Sequence, residues 1–259
     1  MHSNSTISFD YGFFKKIISY LKMNFSIYTF TGVLDILQEK TTKPIVLLRH
    51  DIDLDLNYAH KMAMIEVEEN VQSCYMIMTN SPFYSINDPD SKSIIHKLIS
   101  NGHEIGLHYD FDDYLLRNKH ITIDNMNENI LSAFSKLEDV IGTEVKSISF
   151  HRPMQQFLNG PLTILGRTNA YSAELMKWYL SDSKGNWREG NPLIAMQTIK
   201  NNILQLLIHP IWWNDFSMNA GERLQYFFEE KTKFLSIDER TLFDNTLASY
   251  LSIKRSERK

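Results

Sequence analysis

The stretch PIVLLRHDID, residues 44 to 53, decides how the chain reads. Pro44 introduces a run of apolar residues that closes on ionisable groups, the pattern of a short buried strand with polar side chains at its end. From Leu56 the segment LNYAHKMAMIEVEEN turns to the three- and four-residue apolar spacing of a helix. The same unit then recurs. SCYMIM (73–78) reads as a strand followed by a helix over DPDSKSIIHKLISNG (88–102), which Gly102 closes. HEIGLH (103–108) reads as a strand followed by the helix NMNENILSAFSKLEDVIG (125–142), which Gly142 closes, and SISFH (147–151) is the next strand. Alternating strands and helices predict a parallel sheet with helices outside it, and the polar residues at the strand ends favour closure into a barrel.

On the N-terminal side, FFKKIISYLKMNF (13–25) and FTGVLDILQEK (30–40) both show helical spacing, which predicts two helices in an extension over residues 1–43. Toward the C-terminus, residues 160 to 203 are broken by Gly160, Pro161, Gly185, Gly190 and Pro192 into short strands and loops. A last strand, ILQLLIH (203–209), leads to PIWWNDF and then to helices, with Asn219 as a cap for the first of them. The terminal KRSERK is expected to be solvated. Without an internal repeat or a low-complexity linker, one domain over 1–259 is the economical reading.

Composition narrows the function class. The 259 residues are 43% hydrophobic and 22% charged, ordinary for a packed globular protein and far from a disordered chain. A net charge of −4 and the absence of any long basic run argue against nucleic acid as a partner. No apolar run is long enough to span a membrane, and the N-terminus lacks the pattern of a signal peptide, so a cytoplasmic location is expected. The sequons at Asn4 and Asn24 are then accidental. Cys74, in the apolar run VQSCYMIM, is expected to pack as a small core residue.

Ionisable groups end four of the expected strands: Asp51 and Asp53, His108, His151 with Arg152, and His209. In parallel α/β proteins the carboxyl ends of the strands face the ligand site, so these residues should converge. Asp51 and Asp53 are two apart on an extended segment and share a face. Two adjacent carboxylates invite a divalent cation, or else one of them has a raised pKa and can serve as a base. Asp55 suits a helix cap instead. His50, His60, His96 and His120 read as structural or surface residues, and the methionines of MAMIEV and MIM as core filling.

HDID, GHEIGLH, FHRP and LLIHP stand in the order and spacing of the motifs of the polysaccharide deacetylase, or NodB-homology, superfamily, which the chain resembles over roughly residues 45 to 210. The resemblance implies a distorted (β/α) barrel, here with two extra N-terminal helices, that holds one divalent metal ion, zinc by preference, and removes acetyl groups from N-acetylated sugars. By position it implies Asp51 as catalytic base, Asp53 and His108 as metal ligands and His209 as general acid. It also implies an arginine that orients the base, for which Arg152 paired with Asp51 is the expectation. Ile52 separates two aspartates that are adjacent in the family.

The family's second metal histidine is missing, because the chain reads HYDFD after Leu107 and places Asp112 there. Asp112 is the expected third ligand, with His151 and Asp110 as rivals. SDSKGNWREG (181–190) resembles a further motif that shapes the pocket, so Asp182 and Trp187, together with Trp212, are expected to bind substrate. His103 leads into the metal motif and is expected to hold the strand. The implied substrate is a nucleotide-linked or lipid-linked sugar precursor of surface polysaccharide. Hydrolysis of another amide C–N bond, cyclic or linear, and a non-catalytic sugar-binding barrel are the alternatives.

Overall fold

A computed structural model describes residues 7–38, 41–111, 123–153, 157–199 and 203–252. Its elements run α1 (Tyr11–Asn24), β1 (Ser26–Tyr28), α2 (Val33–Ile36), β2 (Ile45–Ile52), α3 (Leu56–Glu68), β3 (Cys74–Ile77), α4 (Pro89–Ser100), β4 (Glu104–Asp110), α5 (Ile123–Ile141) and β5 (Ser147–His151). They continue with β6 (Thr163–Ile164), β7 (Arg167–Asn169), β8 (Trp178–Ser181), α6 (Pro192–Ala195), β9 (Ile203–Ile208), α7 (Ala220–Thr232) and α8 (Ile237–Ser252).

All these strands join one sheet in the order β6-β7-β5-β4-β3-β2-β9-β8, with β1 added beside the first half of β2. Every pairing is parallel except β6 with β7. Four strands separate β7 from β9 in that order, yet the Gln205 amide on β9 donates to the Ala170 carbonyl just after β7 at 2.7 Å. The sheet therefore curls until its two sides meet through side chains, a distorted barrel with helices outside.

The expected extension over 1–43 differs in detail. Among the described residues there, α1 is a helix of 14 residues, α2 is a single turn over Val33–Ile36, and a strand, β1, lies between them. Gly32 at φ 77° starts α2, and a left-handed residue there leaves little room for a longer helix. β1 pairs with β2, so this part of the chain is built into the sheet.

Side chains alternate across the curled sheet with period two. Ile45 and Leu47 of β2 meet Cys74 and Met76 of β3 and the segment Ala170 to Leu175 inside it. Val46 and Leu48 point outward with Leu204, Leu206 and Ile208 against Phe14, Ile17, Ile18 and Leu21 of α1. Ile105, Leu107, Ile148 and Phe150 face Ile95, Leu98, Ile130 and Leu137 of α4 and α5. Gly106 marks how tightly the inside is filled, since a Cβ there would lie 2.3 Å from Met76 Sδ and 2.6 Å from Ser147 Oγ. Gly102 and Gly142 both take positive φ where the chain leaves α4 and α5. Asp55 caps α3 by accepting from the Asn57 amide, and Asn219 closes a capping box with Glu222 at the start of α7.

One outward residue of β2 is polar. His50 lies behind the barrel wall, its Nε2 2.7 Å from Glu66 of α3. Glu66 is fully buried and also accepts from Ser73 at 2.7 Å and from the Tyr75 phenol at 2.8 Å. Burial opposes its charge, but His50 and these hydrogen bonds outweigh it and hold the carboxyl below its ordinary pKa. His103 completes the group, with Nδ1 3.7 Å from Glu66 and 3.3 Å from the Ser73 amide. Among the described residues no helix is long and apolar enough to cross a membrane.

Candidate metal and catalytic site

The inward residues at the carboxyl ends of β2, β4, β5 and β9 open into one cleft of about 540 Å³, a size that suits a small organic ligand. Asp51 and Asp53 project into it together, as their spacing predicts. His108 Nε2 lies 3.2 Å from Asp53 and 3.6 Å from Asp51. Its other nitrogen, Nδ1, is 2.7 Å from Ser149 Oγ, which fixes the ring with Nε2 toward the carboxylates. His151, at the end of β5, brings Nδ1 to 3.3 Å from Asp53 Oδ1.

Asp53, His108 and His151 offer ligand atoms that all lie within 4.8 Å of one another. Asp53 Oδ1 and His151 Nε2 are buried and have no hydrogen-bond partner among the described residues. Two ligand atoms on a tetrahedral zinc, each about 2.0–2.1 Å from the metal, stand about 3.3 Å apart. The separations around Asp53 match that figure, so these residues fit a divalent cation. Asp112 lies outside the described residues. Asp110 points inward but is engaged by Arg152 Nη2 at 3.2 Å. Burial opposes ionisation of Asp53, but His151 and His108 outweigh it and hold its carboxyl well below the ordinary range.

The expected pairing of Arg152 with Asp51 is replaced by a different one. Arg49 forks onto Asp51 from the same strand, with Nε to Oδ1 at 2.7 Å and Nη2 to Oδ2 at 2.6 Å. Residues 49 and 51 share the inner face of β2, so no reach across the barrel is required. Arg152 instead takes a left-handed φ of 51° after β5, which carries its side chain to Asp110 and to the carbonyl of Tyr250 on α8.

Arg49 is itself held by Gln205 at 2.8 Å and lies over the Tyr171 ring at 4.7 Å. Burial works against the Asp51 charge, and Arg49 with His108 more than offsets it, so Asp51 stays ionised below the usual carboxylate range. Arg49→Met is expected to strand the Asp51 carboxylate and to cost roughly 3–5 kcal/mol in urea unfolding. A loss under about 1 kcal/mol would show that the fork contributes little.

At the end of the neighbouring strand β9, His209 Nδ1 is 2.7 Å from Asp182 Oδ1. Asp182 also accepts from the His209 amide at 2.9 Å and from Trp213 Nε1 at 2.8 Å. Burial lowers the His209 pKa, but the bond and charge of Asp182, with Asp53 and Asp51 beyond, raise it on balance to about 9. The expectation that Asp182 binds substrate is thereby corrected: it is fully buried and its oxygens are committed to His209 and Trp213. Trp187 is likewise corrected, because it packs in the hydrophobic core, 3% exposed. Trp212 does line the cleft.

No family model and no curated protein matches the chain. Solved structures do resemble it. It is similar to the catalytic domain of a peptidoglycan N-acetylglucosamine deacetylase from Eubacterium rectale, at 16% identity, covering 74% of this chain and 89% of that one, with a TM-score of 0.45. It is similar to a chitin deacetylase from the fungal pathogen Colletotrichum lindemuthianum, at 14% identity over 81% of this chain and 84% of that one, with a TM-score of 0.42. It is also similar to a CE4 family pseudoenzyme from Bacillus anthracis, at 11% identity and a TM-score of 0.45, covering 75% of this chain. The chain spans 62% of that pseudoenzyme's length.

Two groups at this site, Arg49 beneath the cleft and Tyr250 lining it, escape a reading by strand ends. Arg49 carried a signal, an arginine inside an apolar strand two residues before an aspartate. Tyr250 carried none, since it belongs to α8, some forty residues beyond the last strand.

Proposed function

We propose that this chain is a metal-dependent hydrolase that cleaves the acetamide C–N bond of an N-acetylated sugar precursor, in the manner of the polysaccharide deacetylases. The observation that carries the reading is the meeting in one cleft of a cation-fitting group, an ionised carboxylate and a raised imidazole, the last two at the ends of the adjoining strands β2 and β9. Asp53, His108 and His151 would hold the ion. When bound, a divalent metal supplies Lewis acidity toward water and toward the amide carbonyl.

The chain's own residues account for the proton movements. Asp51, kept ionised by Arg49, accepts the proton of the attacking water. His209, an imidazolium at neutral pH, donates to the nitrogen as the C–N bond breaks, which releases an amine and acetic acid. Asp182 holds the His209 ring with Nε2 directed away from it, toward the cleft. The proton on Asp51 and the vacancy on His209 are restored by exchange with solvent. Trp212 and the Tyr179 ring supply flat apolar faces to the cleft, of the kind on which a sugar ring stacks.

The test is acetate release from a nucleotide-linked N-acetylhexosamine and from an N-acetylated chitooligosaccharide, with zinc-loaded and with EDTA-treated protein. Zinc-dependent release from the nucleotide-linked probe is the expected result. Binding of one zinc per chain with no release from either probe would favour the non-catalytic sugar-binding barrel.

A further inference from the structure

α8 reaches back over the cleft and places Tyr250 against the metal-fitting group. The Tyr250 ring stacks on His151, centroids 4.9 Å apart and planes 20° from parallel. The Arg152 guanidinium lies 5.1 Å from the centroid of the same ring, and Phe83 meets it edge-on at 5.2 Å. Arg152 Nη1 also donates to the Tyr250 carbonyl at 3.3 Å. That carbonyl belongs to the last described turn of α8, where a cation suits the helix dipole. Ring and backbone are thus fixed from separate directions.

The hydroxyl so positioned meets two groups. One is Met78 Sδ at 3.7 Å, a weak acceptor. The other is His151 Nδ1 at 3.4 Å, the nitrogen that stands 3.3 Å from Asp53 Oδ1. If that nitrogen's lone pair is given to a cation, the phenol keeps, among the described residues, the sulfur alone as a partner. A strong acceptor arriving beside His151 would then take its hydrogen.

We infer that Tyr250 is a catalytic residue, its phenol donating a hydrogen bond to the acyl oxygen of the substrate as negative charge gathers there. This rests on the hydrolase reading above. A preorganised donor aimed at a developing oxyanion is worth roughly 10²–10³ in rate. The donor here comes from a helix at the far end of the chain, so the site is complete only when α8 is docked.

Tyr250→Phe removes one oxygen and keeps the ring on His151. With the zinc-loaded protein and the nucleotide-linked probe, kcat is expected to fall about a hundredfold. KM, zinc content and the urea midpoint should stay near those of wild type, and acetate, the oxygen-bearing product, should bind about tenfold more weakly in an NMR titration. Wild-type kcat in the variant would overturn the inference while leaving the hydrolase reading intact. Loss of zinc in the variant would overturn it as well, by showing that the phenol acts through His151. Failure of the wild-type protein to release acetate would sink the hydrolase reading, and this inference with it.

Discussion

Alanine at His151 is expected to leave the protein without its metal and to cut acetate release by roughly a thousandfold, the equivalent of about 4 kcal/mol in the barrier. The expectation rests on which residue completes the set begun by Asp53 and His108. Its Nδ1 is 3.3 Å from Asp53 Oδ1, and its Nε2 is buried without a hydrogen-bond partner among the described residues. Asp110 is turned toward Arg152, and its carboxylate is engaged there. Elemental analysis of dialysed protein should therefore give about one zinc per chain for wild type and for Asp110→Asn, and almost none for His151→Ala. Retention of zinc in His151→Ala would move the third position to a carboxylate, Asp112 first.

The second large effect is expected from Asp182→Asn. Against the lowering effect of burial, Asp182, with Asp53 and Asp51 beyond it, raises the His209 pKa to about 9, so His209 is an imidazolium through neutral pH. The sign follows from the direction of the shift. A histidine raised above its ordinary value near 6.5 stabilises the fold fully below about 6.5, and that contribution is lost as pH rises through about 9. A rise of this size corresponds to about 3 kcal/mol. In Asp182→Asn the His209 pKa should fall below 7, and the basic limb of the pH–rate profile should move down with it. At pH 7.5 kcat should drop by roughly 10²–10⁴, the usual worth of a positioned acid. The histidine ring protons in an NMR titration report the pKa directly. An unchanged basic limb would mean that His209 is not the acid.

How much of this was legible in the sequence depended on how far each contact reaches. Asp51, Asp53, His108, His151 and His209 each end a short apolar strand, so a period-two reading and one rule about strand ends bring them together. Asp55 and Asn219 were legible as caps because a cap is decided within three residues. The partner of Asp51 was sought across the barrel at Arg152, although Arg49 stood two residues away on the same face. The φ of Arg152, which carries it to Asp110, is a loop property with no pattern in sequence. Asp182 shared its segment with exposed neighbours, and nothing local announced that Trp213 and His209 would enclose it. Tyr250 depended wholly on where α8 docks. In the N-terminal extension both helices form, the second as the short turn Val33–Ile36 that starts at Gly32, a residue with positive φ.

β2 carries polar side chains on both of its buried faces, with Arg49 and Asp51 inside the barrel and His50 against Glu66 outside. This has a consequence for how the chain avoids misfolding. An apolar strand buried on both sides could shift by one residue against its neighbours at little cost, since valine, leucine and isoleucine suit either face. Such a shift in β2 would carry Arg49 and Asp51 into the helical layer and His50 into the barrel. Glu66 would lose its partner, and several ions would be buried unpaired, each at a cost of several kcal/mol. The three residues between the apolar run and Ile52 thus act as a key that admits one alignment of the central strand. The residues that place the site also proofread the sheet that carries it.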